Sequence, residues 1–200
     1  MIYCAKLKPM RFPNLKSLIQ CLRDDAYRYV GTTTTRGVKL YFTAIGYRYT
    51  FWMRLCGFFR ERKWLLPLYL LAWLRLMKID HNSGIQIPAA TQIGNGFYIG
   101  HHGTIVVNGG TVIGRNVNIS QGVTLGQANR GEHKGVPTIG DNVYIGPGAK
   151  IIGAVKVGNN VAIGANAVVT HDVPDNACVA GVPARIISMD GSEGYVNRKV

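Results

Sequence analysis

The stretch that decides the fold is TIGDNVYIGPGAKIIGAVKVGNNVAIGANAVV, residues 138–169. Within it an aliphatic residue returns at every sixth position, as Ile139, Ile145, Ile151, Val157, Ile163 and Val169. An amphipathic helix repeats about every 3.6 residues and a half-buried strand about every two, so neither explains this spacing. Glycine and asparagine lie between the aliphatic residues and favour turns with positive φ. The pattern predicts a coil with three flat faces, in which each hexapeptide supplies one strand and one corner.

The same period extends towards the amino terminus with two breaks. The earlier inward positions are Ile87, Ile93, Ile99, Ile105, Val107, Ile113, Ile119 and Leu125. The first break adds two residues between Ile105 and Val107, and the second pushes GQANRGEHKGVPT out of the coil as a loop. We predict a mainly β fold: a left-handed parallel β-helix over residues 81–188, after an α-helical region 1–80 and before a tail 189–200. Excursions from so regular a solenoid usually contact a ligand, although a non-catalytic scaffold is the alternative.

The region before the repeat is basic and aromatic. Fifteen lysines and arginines stand against four acids in residues 1–80, so this region carries eleven of the thirteen net positive charges. Apolar spacing predicts helices over residues 12–80, with Leu15, Leu18, Ile19 and Leu22 on one face. Two interpretations stay open. The helices cap the open end of the coil and pack between subunits, with solvated arginines, or they contact an anionic membrane surface.

Several function classes are disfavoured. The four cysteines, Cys4, Cys21, Cys56 and Cys178, show no paired spacing typical of a zinc or redox motif. No nucleic-acid-binding motif accompanies the basic region, so we expect no nucleic acid partner. The longest apolar run, residues 64–73, contains Pro67 and is shorter than the ~20 residues of a spanning helix. Since the start of the chain has no signal-peptide pattern, we expect a cytoplasmic protein, at most peripheral on the inner face of the plasma membrane.

The residues with reactive chemistry lie at the breaks. His101 and His102 are adjacent beside the first break, and His133 lies on the extruded loop. An imidazole, with a reference pKa of ~6.5, can remove the proton of a hydroxyl at neutral pH. A histidine in a solenoid turn can equally be a solvated corner residue. Adjacent side chains on an extended chain diverge, which disfavours a metal site at the pair, and we expect no metal.

These residues resemble the hexapeptide acyltransferases, in particular the serine acetyltransferase branch. The resemblance rests on YIGHHGTIVVNGGTVIGRNVNISQGVTLG (98–126), the extruded loop, IGPGAKIIGAVKVGNNVAIGANAVV (145–169) and DVPDNACVAGVPARII (172–187). It implies a homotrimer of β-helices that transfers acetyl groups from acetyl-CoA directly to a hydroxyl, at a site between subunits. The family's general-base histidine falls on His101, and His102 is the second candidate.

The resemblance also implies how the two substrates are held. Small residues are expected along the pantetheine arm of acetyl-CoA: Gly126, Gly146, Pro147, Ala165, Ala180 and Gly181. Lys150 and Arg185 are the expected partners of its phosphates. On the acceptor side, His133 is expected to help close the site. Gln86 stands where the family has the carboxylate that orients the histidine.

Three departures from the serine acetyltransferase pattern alter the expected acceptor. Gln86 can hydrogen-bond an imidazole but cannot stabilise imidazolium by charge. Val136 falls on the position of an acceptor-site histidine, and residues 1–80 do not resemble that branch's long helical domain. The architecture is more similar to colanic-acid and capsule-type polysaccharide O-acetyltransferases. We therefore expect O-acetylation of a sugar hydroxyl in capsule or exopolysaccharide synthesis, on a glycan or lipid-linked sugar, with serine O-acetylation as the alternative.

Overall fold

A computed structural model describes residues 12–31 and 36–200, with side chains in the second range from Lys39 onwards. Cys4 and three of the basic residues counted above lie outside this part. The described helices are α1 (Leu15–Val30), α2 (Arg36–Thr43), α3 (Ile45–Arg60) and α4 (Leu66–Ser83), with a 3₁₀ turn at Lys63–Leu65. None of these helices is long and apolar enough to cross a membrane.

The helix ends follow from local sequence. Asn14 caps α1 by accepting a hydrogen bond from the backbone N–H of Ser17 at 2.9 Å, and the Ser17 hydroxyl accepts one from the Asn14 N–H. This reciprocal pair is a capping box. Pro67 lies in the first turn of α4, where a missing N–H does no harm. Gly84 ends α4 at φ 68°, and β1 follows directly, so the helix continues three residues beyond the expected boundary at residue 80.

Short strands occupy the described chain from residue 85 onwards. They are β1 (Ile85–Gln86), β2 (Gln92–Ile93), β3 (Tyr98–Ile99), β4 (Ile105–Val107), β5 (Val112–Ile113), β6 (Asn118–Ile119), β7 (Thr124–Gly126), β8 (Thr138–Ile139), β9 (Tyr144–Ile145), β10 (Lys150–Ile152), β11 (Lys156–Val157), β12 (Ala162–Ile163), β13 (Val168–Val169), β14 (Cys178–Ala180) and β15 (Arg185–Ser188).

These strands form the three faces of one coil. Sheet A has the order β1-β4-β7-β10-β13, sheet B has β2-β5-β8-β11, and sheet C has β3-β6-β9-β12-β14-β15. Every pairing is parallel except that of β15, which returns antiparallel along β14. Up to β13, strands three apart in sequence pair because each turn of the coil visits A, B and C once. In the last turn sheet B is represented only by the bridge of Val173 to Val157, so β14 pairs with β12. We name the corners between faces the A–B, B–C and C–A edges.

The predicted coil of parallel strands behind a helical amino-terminal region is confirmed. All fourteen inward positions of the hexapeptide pattern are buried and belong to one continuous core. Asparagines at positive φ turn the chain at the B–C edge, at Asn116, Asn142, Asn160 and Asn176. Their side-chain amides form a ladder with spacings of 3.0, 3.0 and 3.1 Å. Each amide therefore stabilises both a left-handed turn and the stacking of the coils.

The first break lies at a different place from the one expected. Ile99 pairs with Ile119 and Val107 with Leu125, so eight residues on the first coil oppose six on the next. The insertion therefore precedes Ile105, which is itself buried and pairs with Ile85. The two extra residues lie in the corner, where they do not disrupt the hydrogen-bond ladder as a bulge within a strand would.

The helices close the open end of the coil. Tyr49 Oη accepts from the N–H of Ile87 at 2.8 Å and donates to its carbonyl at 2.9 Å. Tyr29 makes the equivalent pair with Ile99, at 3.1 and 3.0 Å. Arg54 donates to the carbonyl of Ile93 at 2.6 Å. Backbone groups at the first edge of each sheet thus have side-chain partners. In the part of the chain that the structure describes, the first coil therefore presents no unpaired strand edge to which another chain could add.

One expectation about this cap is wrong. Arg54 is fully buried rather than solvated, because its guanidinium serves the coil edge and pairs with buried Asp25. The buried stripe of α1 includes Leu18 but leaves Leu15 57% and Ile19 39% exposed. The helix is rotated because it must direct polar groups, and not only leucines, at the first coil.

The carboxy-terminal tail packs on the outside of the coil. Val196 is buried, and the N–H of Ser192 donates to the carbonyl of Asn160 at 2.9 Å. Tyr195 stacks on Tyr144, with ring centroids 4.7 Å apart. The tail therefore covers part of sheet C and contacts the B–C edge.

Candidate functional site at the C–A edge

The two extra residues of the first break are His101 and His102. The N–H of Gly122 donates to the carbonyl of Gly103, just as that of Gly148 donates to Gln121, so Gly103 and Gln121 occupy equivalent corner positions. Gly103 lies four residues after the inward Ile99, whereas Gln121 lies two after its equivalent, Ile119. The histidine pair is therefore the insertion itself, projecting from the C–A edge.

The backbone around the histidines suits a projecting corner. Gly103 has φ 119°, a region that side chains rarely adopt, and a Cβ built there meets nothing within 4 Å. Thr104 also has positive φ, at 49°. Both imidazoles are exposed, and neither has a hydrogen-bond partner among the described residues. The imidazole nitrogens are thus free to meet a substrate.

Rigid neighbours hold the ends of this corner. The Tyr29 hydroxyl hydrogen-bonds to both the N–H and the carbonyl of Ile99, two residues before His101. The ring centroids of Tyr29 and Tyr98 lie 4.4 Å apart. On the other side, the N–H of Ile105 donates to the carbonyl of Gly84 at 2.9 Å. An exposed catalytic side chain on a fixed backbone loses less entropy when substrate binds than one on a mobile loop.

Most of the residues expected to hold the acetyl donor lie along the same edge. Gly146, Pro147, Ala165 and Gly181 all occupy C–A corners, on successive coils below the histidines, and Ala180 ends the strand that precedes the last corner. Small side chains there leave backbone groups open to a long, thin ligand. The structure therefore brings five of the expected donor residues onto one line with His101 and His102.

Three of the expected donor residues lie elsewhere or have other partners. Gly126 ends its sheet A strand at the A–B edge, on the opposite side of that face. The ammonium of Lys150 donates to the carbonyl of Gly122 and so links two coils. Arg185 is exposed at the start of β15, and its guanidinium reaches the neighbouring carbonyl of Ala184 at 3.3 Å.

The acceptor-side candidates do not reach the histidines within one chain. Gln86 is exposed on sheet A, beside Val106, and no described hydrogen bond links it to His101. His133 is half-buried at the A–B edge, where its carbonyl accepts from the N–H of Ala154 at 2.8 Å. The width of sheet A separates this edge from the C–A edge.

The extruded loop is folded against the coil. Ala128 and Gly135 exchange backbone hydrogen bonds of 2.9 and 3.0 Å, which close the loop as a small hairpin. The ring of His133 packs edge-on against that of His171, with centroids 5.6 Å apart. No group of three or more metal-ligating side chains occurs in the described ranges.

Sequence reasoning missed Gln121. Its side-chain oxygen is buried and has no hydrogen-bond partner in the described chain. The residue occupies the C–A corner one coil below the histidines, where a buried acceptor without a donor is costly. The signal in the sequence was a large polar residue at a corner that carries glycine and proline on the adjacent coils.

Comparisons with known proteins agree with this geometry. Residues 137–171 match the family described as bacterial transferase hexapeptide (six repeats). The serine acetyltransferase of Staphylococcus aureus (strain Mu50 / ATCC 700699) is 44% identical over 109 residues, which are 54% of this chain and 51% of that protein. A solved serine acetyltransferase in complex with CoA has a TM-score of 0.69 and 34% identity, covering 86% of this chain and 71% of the other. The Neisseria gonorrhoeae serine acetyltransferase in complex with serine has a TM-score of 0.68 and 29% identity, covering 87% and 70%.

The chain belongs to the hexapeptide-repeat transferase family. It spans about half the length of the curated relatives it matches. The structural likeness also extends beyond the coil, because the alignment covers 86% of the chain and residues 84–200 make up less than 60% of it. Part of the helical region is therefore shared with the serine acetyltransferases, contrary to the expectation from sequence.

The expected sugar acceptor is wrong for this hexapeptide-repeat transferase. The relatives and solved structures reported above are serine acetyltransferases, which favours the alternative over capsule or exopolysaccharide synthesis with its glycan or lipid-linked acceptor. The departures at Gln86 and Val136 do not outweigh this likeness. A hydrogen bond that one side chain fails to give a substrate can come from water or from a neighbouring group. Likeness along the whole coil is therefore better evidence for the acceptor than the residue at a single position.

Proposed function

We propose that this protein is an acetyl-CoA-dependent O-acetyltransferase whose acceptor is the hydroxyl of L-serine, the alternative acceptor that the sequence left open. The observation that carries the proposal is the insertion of His101 and His102 into the C–A edge, in a chain whose relatives are serine acetyltransferases. Acetyl-CoA would lie along the same edge, over Gly146, Pro147 and Ala165.

The histidine pair supplies the proton transfer that this reaction needs. The imidazole of His101 removes the proton from the serine hydroxyl as its oxygen attacks the thioester carbonyl. Collapse of the tetrahedral intermediate breaks the C–S bond, and the imidazolium returns the proton to the CoA sulfur. In this proposal the proton transfer does not need a carboxylate at position 86.

The acceptor side is completed by a second copy in this proposal. His101 lies at the C–A edge and His133 at the A–B edge, so one chain cannot bring them together. In a cyclic trimer, the C–A edge of one subunit faces a different edge of its neighbour. A left-handed winding of the coil and a trimeric assembly form part of the proposal, supported by the likeness to solved serine acetyltransferases.

The proposed reaction is tested by release of free CoA thiol from acetyl-CoA with and without L-serine. We expect serine-dependent release in the wild type and a loss of at least ~100-fold in kcat for His101→Ala. Thiol release that does not depend on serine would refute serine as the acceptor. Full activity of His101→Ala together with loss of activity in His102→Ala would transfer the role of base to His102.

The shared site has a separate test. Two variants, His101→Ala and His133→Ala, are co-expressed with different affinity tags, and mixed trimers are purified. If each site takes His101 from one subunit and His133 from the next, one of the three interfaces in every purified mixed trimer is intact, and activity returns to about one third of the wild-type value. Activity no higher than that of either variant alone would show that the two histidines act within one subunit or in separate roles.

A further inference from the structure

Helix α4 carries an apolar surface that the described chain leaves open. It buries only Ala72, Leu76 and Ser83. Seven of its large apolar side chains are 41–58% exposed: Leu66, Leu68, Leu70, Leu71, Trp73, Leu74 and Met77. Trp64, in the turn before the helix, is 78% exposed. A surface helix normally turns its apolar stripe to the core, and an open apolar patch of this kind marks a contact with a partner or a membrane.

A cationic pocket lies beside this surface. Its volume is about 360 Å³, and its walls carry Arg48, Arg75 and Lys78 together with the rings of Phe42 and Trp52, with no carboxylate among them. The Nε of Arg48 is buried and has no hydrogen-bond partner among the described residues. Three cations without a counter-charge, one of them with an unpaired buried donor, fit an anion with several acceptor oxygens, such as a phosphate diester.

The apolar surface and the pocket share one face of α4. Leu71, Leu74, Arg75 and Lys78 stand at positions i, i+3, i+4 and i+7, the spacing that places side chains together on a helix. Phe42 is 70% exposed at the pocket. Leucines, an aromatic ring and cations thus face the same direction, which is the arrangement of a helix that lies in a lipid interface.

We propose that α4 docks on the surface of a bilayer containing anionic phospholipid. The leucines enter the boundary between headgroups and acyl chains, and a lipid phosphate occupies the pocket of Arg48, Arg75 and Lys78. Charge favours lipid over a second copy of this chain, because a copy would bring further cations from a region with eleven net positive charges. The inference does not depend on the identity of the acetyl acceptor.

The test is co-sedimentation of the full-length protein with vesicles. We expect binding to phosphatidylcholine vesicles with about one third phosphatidylglycerol, and not to phosphatidylcholine alone. Since each basic residue contributes to such binding, Arg75→Gln with Lys78→Gln should weaken partitioning on the order of 30-fold. Leu71→Ser with Leu74→Ser should weaken it as well. The matched control, Lys156→Gln with Lys199→Gln, removes the same charge from the coil and the tail and should bind like the wild type.

A second readout needs no variant. The emission of Trp64 and Trp73 should shift to the blue when anionic vesicles are added to the wild type, as the rings leave water. Thiol release with soluble substrates should be unchanged in all three double variants, which separates docking from catalysis.

Three outcomes would overturn the proposal. Equal weakening in the control variant would show that only net charge matters. Dissociation of the oligomer by Leu71→Ser with Leu74→Ser, seen by sedimentation velocity, would assign the surface to a contact between copies. Thermal stabilisation by inorganic phosphate or glycerol phosphate without any vesicle binding would assign the pocket to a soluble ligand.

Discussion

The attachment of the helical cap to the coil can be tested at one buried ion pair. Arg54 donates from Nε to Asp25 at 3.0 Å and from Nη2 at 3.2 Å, and both side chains are fully buried. The guanidinium also donates to the carbonyls of Ile93 at 2.6 Å and Gly94 at 2.7 Å. Asp25 in turn accepts from the N–H of Phe97 at 2.9 Å. One pair thus joins α1, α3 and the first coil.

Replacing Arg54 with methionine keeps most of the buried volume and removes every one of these donors. An uncompensated buried charge costs about 3–5 kcal/mol, so we expect the free energy of unfolding to fall by that amount. The double variant Asp25→Leu with Arg54→Met no longer buries a lone carboxylate. Its loss should be smaller than that of Arg54→Met alone, although the Phe97 N–H is left without its acceptor.

The loss of stability caused by Arg54→Met should be greater at high pH than at low pH. Burial raises the pKa of the Asp25 carboxyl, and Arg54 opposes that effect. Without Arg54 the pKa rises further, so the folded variant binds a proton that the unfolded chain releases near its reference pKa of ~3.9. Protonation of Asp25 therefore stabilises the folded Arg54→Met variant fully only below its reference pKa of ~3.9. This contribution is lost as the pH rises through the folded-state pKa of Asp25.

Urea denaturation followed by circular dichroism measures these losses at pH 5 and pH 8. The control is Arg60→Met, which removes an exposed cation from the end of the same helix and should change stability by less than about 1 kcal/mol. A loss below about 1 kcal/mol for Arg54→Met, or an equal loss at both pH values, would refute the view that this pair anchors the cap.

Three further predictions follow from buried groups. Tyr49→Phe leaves the N–H and carbonyl of Ile87 unpaired and should lower the free energy of unfolding by ~1–3 kcal/mol, measured by urea denaturation. Asn142→Ala loses both the asparagine ladder and a residue suited to positive φ, so it should cost more, by about 1 kcal/mol, than Asn142→Gly, which keeps the turn; equal melting temperatures would contradict this. Burial raises the pKa of Cys21 and of Cys56 to about 12, so neither should be alkylated by iodoacetamide in the native protein at pH 8. Because the unfolded thiols ionise first, stability should fall as pH rises above ~9, by about 1.4 kcal/mol per pH unit for each thiol, as chemical denaturation would show.

The acceptor shows where reasoning from single positions fails. Gln86 and Val136 differ from the serine acetyltransferase pattern, in which the first position orients the catalytic histidine and the second belongs to the acceptor site. In the folded chain Gln86 is exposed on sheet A, and the loop that carries Val136 lies at the A–B edge, away from the histidines. Within one chain neither position lies at the histidine corner, so its effect on the acceptor depends on the neighbouring subunit, which reasoning from a single position leaves out.

The sequence alone determined the repeat, because a six-residue period of inward aliphatic residues can be satisfied by few structures other than a three-faced coil. It also made His101 and His102 the candidate site residues, since irregularities stand out against a regular pattern. Only the tertiary structure decided that these histidines are themselves the insertion, because the register of a break depends on strand pairing between coils. The roles of Tyr29, Tyr49 and Arg54 were equally hidden, since the unpaired backbone edge that they satisfy exists only once the first coil has formed.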